Sequence, residues 1–243
     1  MNNKNHLIIP AAIISAGFVI GVLIFISAWK SNYSANQTIT VTGSAQQDIV
    51  SDFAILKGTI SIQSPNAESA YKELEREKPI LFSYLKSKGF DKDKIEMSTI
   101  TNYPVYQLSP NGQQTNNIIA YNYSQTISIQ SMDVYKIKEI SLEISSLIEK
   151  GVNFRVDMPE YHYLKLADLK IQIQAEAAKD AMIRAEKIAE ATGRKLGPMR
   201  SAKMGVLQIT PKYSTQVSDY GINDLSSIDK EITAVVNASF EIE

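Results

Sequence analysis

The chain has 243 residues, 25 Lys and Arg against 26 Asp and Glu, and a formal net charge of −1. This balance excludes a nucleic-acid-binding protein that relies on a strongly basic surface. The chain contains no cysteine, which excludes a disulfide framework and a thiolate metal site. The remainder after the amino-terminal segment is long enough to bury a core of its own, so packing alone must stabilise it.

The stretch at 7–29 contains no charged side chain. At about 1.5 Å rise per residue, a helix of this length spans roughly 35 Å, enough to cross a hydrocarbon core of about 30 Å. The apolar core of a cleaved signal peptide is shorter, about 7–15 residues, and residues 25–29 make a poor cleavage site. We therefore expect an uncleaved transmembrane anchor at 7–29, after a short cytoplasmic arm at 1–6 and before a tether at 30–37.

The few basic residues near this stretch indicate its orientation. Lys4 precedes it, Lys30 follows it, and the next Lys or Arg is Lys57. This weak bias favours an amino-terminal arm inside the cell. The expected protein is single-pass in the cell membrane, with the domain at 38–243 in the periplasm or outside the cell.

Apolar periodicity predicts the elements of the first half of that domain. Alternation at 39–43 and 54–62 indicates two strands. A helix with apolar residues at helical spacing follows, and we expect a kink or break at Pro79 inside it. Extended structure at 94–107, a polar turn and a strongly alternating strand around 121–129 then predict a hairpin.

The second half continues with helices and strands in alternation. A seam of alanines at every fourth residue marks the longest of its helices, which suits close packing against a sheet or another helix. The predicted elements are a helix at about 133–150, a strand at 152–158, a helix at about 164–192, a strand near 199–209, a polar loop at 210–227 and a closing strand. The order β-β-α-β-β-α-β-α-β-β indicates an α+β fold with antiparallel sheets covered by helices.

Four tyrosines crowd into the predicted hairpin: Tyr103, Tyr106, Tyr121 and Tyr123. Tyrosine combines a large apolar area with a polar tip, so these side chains are candidates for a ligand groove or a subunit contact. The alternative is an ordinary aromatic face of a sheet. No basic residue lies among these rings, which argues against nucleic acid.

Catalytic motifs are missing from the chain. His162 is the one histidine of the expected exported part, and it has neither a second histidine nor a cysteine as a metal partner. There is no G-x-S-x-G, no P-loop and no G-x-G-x-x-G. Paired acids such as Glu139 and Glu143 read as solvated helix faces. We therefore expect no enzyme, no catalytic residue, no cofactor and no metal.

Several short segments, taken in order, resemble those of a known family. They are Ile39–Ala45, Ile95–Ile100, Tyr103–Tyr106, Ala167–Lys170, Ala177–Ala189, Gly193–Gly197 and Val236–Ile242. The chain from about 38 to 243 thereby resembles the bacterial SIMPL-domain family. The resemblance implies an exported protein of the periplasm or cell envelope, an association with oxidative stress and, for at least one type, a large channel-like homo-oligomer. It implies no catalytic residue, and the anchor and Pro79 depart from the family pattern.

Three functions follow as hypotheses. The first is a membrane-anchored, non-enzymatic protein that acts through self-assembly or contact with a protein partner, in protection of the envelope against oxidative stress. The second is a module that binds a small molecule or peptide near Tyr121 and Tyr123. The third is an unrecognised hydrolase that depends on His162.

Overall fold

The computed structural model describes residues 5–35 and 37–242, and in the first helix it describes the side chains at 13–27 and 29. The chain divides into two compact units. The first unit combines the residues up to Gln46 with Lys170–Leu207 and Thr233–Glu243. The second unit combines Gln47–Leu169 with Gln208–Ile232.

Helix α1 covers Asn5–Ala35 and therefore includes the predicted anchor at 7–29. Across the part of the chain that the structure describes, no helix combines the length and the apolar character needed to cross a membrane. The structure thus does not confirm the transmembrane prediction. Residues 7–12 and 28 of the predicted anchor, and most of the arm and tether, lie outside the residues whose side chains are described.

A five-stranded sheet contains strands from both ends of the domain sequence. Its order is β1-β11-β9-β10, with β8 paired antiparallel to β11 and β10 parallel to β9. The parallel pair of β9 and β10 makes this sheet mixed, where an antiparallel one was expected. Its strands are β1 (Thr38–Val50), β8 (Leu196–Met204), β9 (Gln208–Pro211), β10 (Ile222–Asn223) and β11 (Asp229–Ile242).

In the first unit, helix α4 (Leu166–Ala191) packs its alanine seam against β1. Ala177, Ala181 and Ala185 are fully buried, which confirms the seam. The approach is so close that a Cβ on Gly43 would lie 2.3 Å from the carbonyl oxygen of Ala177. Small residues on both elements permit this distance between the two backbones.

The second unit contains a six-stranded sheet of order β3-β5-β2-β6, with β4 also on β5 and β7 also on β2. The strand pairs β2–β5, β2–β6, β2–β7, β3–β5 and β4–β5 are antiparallel. Its strands are β2 (Phe53–Ser64), β3 (Ile95–Met97), β4 (Thr101–Leu108), β5 (Gln114–Ser131), β6 (Phe154–Val156) and β7 (Glu160–His162).

Helices α2 (Ala67–Ser87) and α3 (Val134–Glu143) cover one face of this sheet. The core between them holds Leu56, Ile60 and Ile127 from the sheet, with Leu74 and Ile137 from the helices. We call this the helix-covered face. The other face, which carries Thr59, Ser61, Asn122 and Ser124 by the strand register, we call the polar face.

The α+β class is confirmed, but the predicted order of elements is not. Two separate strands replace the single run predicted at 94–107 and at 199–209, and the strand predicted at 152–158 is reduced to β6 at Phe154–Val156. Strand β10 lies within the predicted loop at 210–227. Apolar periodicity marks an extended run but does not locate the short irregular residues that interrupt pairing.

The break expected as one alternative at Pro79 does not occur, and the helix expected at 133–150 does not remain α-helical to its end. Helix α2 runs unbroken through Pro79, because Leu74 and Leu81 on either side are fully buried and fix both halves on the sheet. The predicted helix at 133–150 becomes a 3₁₀ helix from Ile144 to Lys150. In this tighter segment Ile144 and Leu147 are buried, whereas Ile148 is exposed.

Candidate functional site

The strand register separates the four candidate tyrosines. In the β4–β5 pair, Tyr103 lies opposite Asn122, while Pro104 lies opposite Tyr121. Opposed residues of an antiparallel pair share a face and neighbours alternate. Tyr121 and Tyr123 therefore lie on the helix-covered face, as the alternation predicted, and Tyr103 lies on the polar face. Tyr106 follows a register shift after Val105.

Tyr123 is part of the packing of the second unit. It is half-buried against the apolar core, and its ring meets the ring of Tyr71 on α2 edge to face, with centroids 6.2 Å apart. This geometry is a favourable aromatic pair. Tyr123 therefore fits the alternative of an ordinary aromatic face of a sheet. Tyr103, in contrast, is more than half exposed.

The β4–β5 hairpin contains no charged residue and exposes large apolar side chains. No charged side chain occurs between Glu96 and Asp133. Among the described residues, 114–120 of β5 pair with β4 and with no other strand. The hairpin also exposes three large apolar side chains, Leu108, Ile118 and Ile119.

This hairpin leaves an edge of the sheet open. Among the described residues, β4 pairs with β5 alone, so its other edge has no strand beside it. Natural edge strands are usually protected by charges, short length or proline. Pro104 supplies one such protection within β4, but the hairpin has no charge.

His162 is the last residue of β7, and helix α4 begins four residues later at Leu166. Its Nε2 lies 3.4 Å from a carboxylate oxygen of Glu160, and its ring contacts Phe53. The other oxygen of Glu160 accepts a bond from Lys57 at 2.9 Å, and this bond with the Lys57 charge holds the pKa of Glu160 below its usual value. In the described part of the chain, no three His, Asp or Glu gather as a group able to hold a metal ion.

The segment predicted as a loop at 210–227 is fixed at its carboxyl end by a buried lysine. Lys230 is 2% exposed, and its Nζ donates bonds of 2.6 Å to the carbonyl oxygens of Tyr161 and Asp224. Burial lowers the pKa of Lys230, partly offset by the Asp224 charge. The middle of the segment is different, since Tyr213 and Tyr220 are almost fully exposed.

A cavity of about 700 Å³ lies beside this segment in the second unit. Its lining includes Tyr135, Lys138, Tyr161 and Lys212. Lys212 is paired with Asp48 at 2.7 Å, which raises the pKa of the lysine. Neither Tyr121 nor Tyr123 lines this cavity, so it is not the pocket that the ligand-binding hypothesis predicted.

Comparison with known proteins identifies the domain as a whole. The family model described as "SIMPL: Protein of unknown function (DUF541)" matches residues 39–240. The chain belongs to the SIMPL family. It is also 22% identical over 182 residues to the "Uncharacterized protein YggE" of Edwardsiella ictaluri (strain 93-146), across 74% of this chain and 72% of that protein.

The SIMPL match confirms the family resemblance that the motifs indicated. Its bounds, 39–240, agree closely with the segment of about 38–243 on which the resemblance rests. Neither the family description nor the name of the relative states an activity, a ligand or a partner. The functional argument for this SIMPL protein therefore depends on its own residues.

Two features of the candidate site were not predicted from the sequence, although each has a sequence signal. The first is the run from 97 to 132, which contains no Asp, Glu, Lys or Arg. The second is Lys230, which lies midway between the buried residues Ile228 and Ile232 in the alternating pattern of the closing strand. That pattern already indicates an inward lysine.

Proposed function

We propose that this SIMPL protein is a non-enzymatic protein that acts by self-assembly, and that the β4–β5 hairpin makes the contact between copies. The observation that carries the proposal is the hairpin's combination of exposed apolar side chains with a complete lack of charge. Exposed apolar groups gain free energy when they are buried at an interface. Their clustering on one hairpin distinguishes them from surface residues that are scattered singly.

A second copy of the chain is the partner that this composition favours. When a symmetric pair forms, each patch meets its own copy, so any net charge on the patch would repel itself. A patch without charge avoids this cost. Pro104 cannot donate a backbone hydrogen bond, which disfavours simple extension of the sheet at its position, so the proposed contact uses side chains such as Leu108 and Ile118.

The proposal places the protein in the cell membrane through the segment at 7–29, with the SIMPL domain in the periplasm or outside the cell. The support is the uncharged sequence of that segment, together with exposed apolar side chains such as Ile14, Phe18 and Leu23 in α1. Protection of the envelope against oxidative stress is the role that the family resemblance suggests.

A substitution in the hairpin tests where copies meet. Leu108 is 64% exposed, so Leu108→Lys adds a charge at the proposed contact without disturbing the core. In an assembly with several copies, the added charges meet and are desolvated, and we expect the mass to fall toward that of one chain. The measurement is light scattering after size exclusion, on the full chain in an uncharged detergent.

Leu142→Lys is the matched control. Leu142 is a leucine of similar exposure, 75%, on helix α3 and away from the hairpin. Its replacement should leave the mass unchanged. Equal masses for the Leu108 variant and the wild type, both assembled, would show that the hairpin is not the contact.

A further inference from the structure

The polar face of the second-unit sheet contains a cavity of about 290 Å³. Its lining includes Ser61 of β2, Tyr103 of β4, Asn122 and Ser124 of β5, and Arg155 of β6. Four strands thus contribute to one small polar site. Asn122 is 9% exposed, and its amide is held by Ser61 Oγ at 3.0 Å, so the floor of the cavity is fixed by the sheet itself.

Arg155 differs from every other arginine of the chain. The other four each donate to a side-chain oxygen, at distances of 2.6 to 2.9 Å: Arg76 to Glu73, Arg184 to Asp180, Arg194 to Gln37 and Arg200 to Glu241. The guanidinium of Arg155 has no such acceptor among the residues that the structure describes. Its N–H donors are therefore available to a ligand.

The second unpaired donor of the cavity is the hydroxyl of Tyr103. Within the described chain this hydroxyl makes no hydrogen bond, whereas Ser61 is bonded to Asn122 and Ser124 to Thr101. The lining thus divides into a bonded framework and two groups that face the cavity without a protein partner.

The charge of the lining has a single sign. The lining includes Arg155 and no Asp or Glu. Glu160 lies further along the same face by the strand register, opposite Ile55, but its carboxylate is already paired with Lys57 at 2.9 Å. Asp157, two residues after Arg155, shares this face by the same alternation, but the structure shows no ion pair between the two side chains. Within the described residues, Arg155 therefore forms no ion pair with a carboxylate.

We propose that this cavity binds a small oxyanion, a carboxylate or a phosphate, with Arg155 as the charged donor and Tyr103 as a second donor. The planar guanidinium presents parallel N–H groups that match two oxygens of either anion. The volume is at the lower end of ligand pockets, about 300 Å³, which suits one anionic group and not a large apolar molecule. The group can be a free ion or the anionic end of a sugar.

The test is a titration of the full chain in an uncharged detergent at constant ionic strength. The probes are inorganic phosphate, acetate, glucose 6-phosphate and glucuronate, followed by calorimetry and by the NMR signal of the arginine Nε–H groups. We expect at least one probe to bind saturably and to shift the signal of Arg155. Binding of phosphate or acetate identifies a free-anion site, and binding of the sugar anions alone identifies the end of a larger molecule.

Variants connect the binding to the named donors. Arg155→Gln keeps hydrogen-bond donors but loses the charge and should weaken binding by about tenfold or more. Tyr103→Phe should weaken it several-fold. Arg76→Gln, which removes an exposed arginine already paired on α2, is the control and should bind as the wild type does.

Two results would overturn the proposal. One is that none of the four probes binds saturably at millimolar concentrations, and the other is that Arg155→Gln binds as tightly as the wild type. Circular dichroism of each variant verifies that the fold is intact before the titration. The mass of the assembly is a separate readout, so this proposal and the proposed function can fail independently.

Discussion

At the scale of single residues, Lys230 is the most informative position in the second unit. A lysine is rarely buried unless its ammonium group is bonded. Here the ammonium group bonds two backbone carbonyls, of Tyr161 and Asp224, and so joins the end of the 210–227 segment to β7. The backbone N–H groups of Ser226 and Ser227 donate to the carboxylate of Asp224 and hold it in a turn. Burial raises the pKa of Asp224, but these bonds and the Lys230 charge outweigh it, so the pKa is lowered.

Replacing this lysine should destabilise the fold strongly. Lys230→Met keeps the apolar stem but leaves two buried carbonyl oxygens without a donor, and we expect a loss of about 2–4 kcal/mol in the free energy of unfolding. Denaturant unfolding followed by circular dichroism measures it. The control is Lys203→Met, at an exposed lysine of β8, which should change the free energy by less than about 0.5 kcal/mol.

The difference in unfolding free energy between the wild type and Lys230→Met should depend on pH. Because burial lowers the folded-state pKa of Lys230 below its ordinary value of 10.5, the unfolded chain retains a proton there that the folded chain loses. Between those two pKa values the wild type therefore gains stability as pH rises. The difference in unfolding free energy between wild type and Lys230→Met should widen from pH 7 toward pH 10. A difference that narrows would contradict the assigned burial.

At the scale of elements, the contact between α4 and β1 organises the first unit. Gly43 lies against the backbone of the helix at Ala177 and Ala181. The backbone N–H of the next residue, Ser44, donates to Asp180 at 2.8 Å, and Arg184 pairs with the same carboxylate at 2.7 Å. These two bonds hold the pKa of Asp180 below its usual value, with the Ser44 bond the larger cause.

A single methyl group should separate these elements. In Gly43→Ala the new Cβ would lie 2.3 Å from the carbonyl oxygen of Ala177 and from the backbone nitrogen of Ala181, so the helix or the strand must move. We expect a loss of about 1–3 kcal/mol in unfolding free energy. Ser44→Ala keeps the backbone bond to Asp180 and should be nearly neutral. Equal stability of both variants would show that the approach is looser than described.

The elements that the sequence predicts well are the long ones with a strong period. The alanine seam of α4 and the alternation of β5 each repeat over many residues, so both their type and their buried face could be predicted. The short strands β3, β6, β7 and β10 could not, since two or three residues carry no measurable period. Continuation of α2 through Pro79 also depends on tertiary packing, which local propensity does not include.

The candidate site was predictable only in part. The sequence located the tyrosine-rich hairpin and the correct alternation of Tyr121 and Tyr123, but the position of Tyr103 on the opposite face depends on the register with β5. The cavity at Arg155 depends on four strands that are distant in sequence. Periodicity within one segment cannot reveal such a juxtaposition.

At the scale of the whole molecule, the SIMPL match covers nearly all residues after α1 and establishes the family without naming an activity. The surface of the second unit includes the uncharged β4–β5 hairpin, on which Leu108, Ile118 and Ile119 are exposed. Exposed apolar edges without charge are an aggregation hazard unless a specific contact covers them. Regular self-assembly is the contact that we propose.

The most direct test of this account is the mass of the wild-type full chain in an uncharged detergent, measured by light scattering over a range of protein concentrations. One chain has a mass of 27.0 kDa. The account predicts a discrete mass of several chains, after subtraction of the detergent, that persists on dilution. A mass of one chain at every concentration would contradict self-assembly.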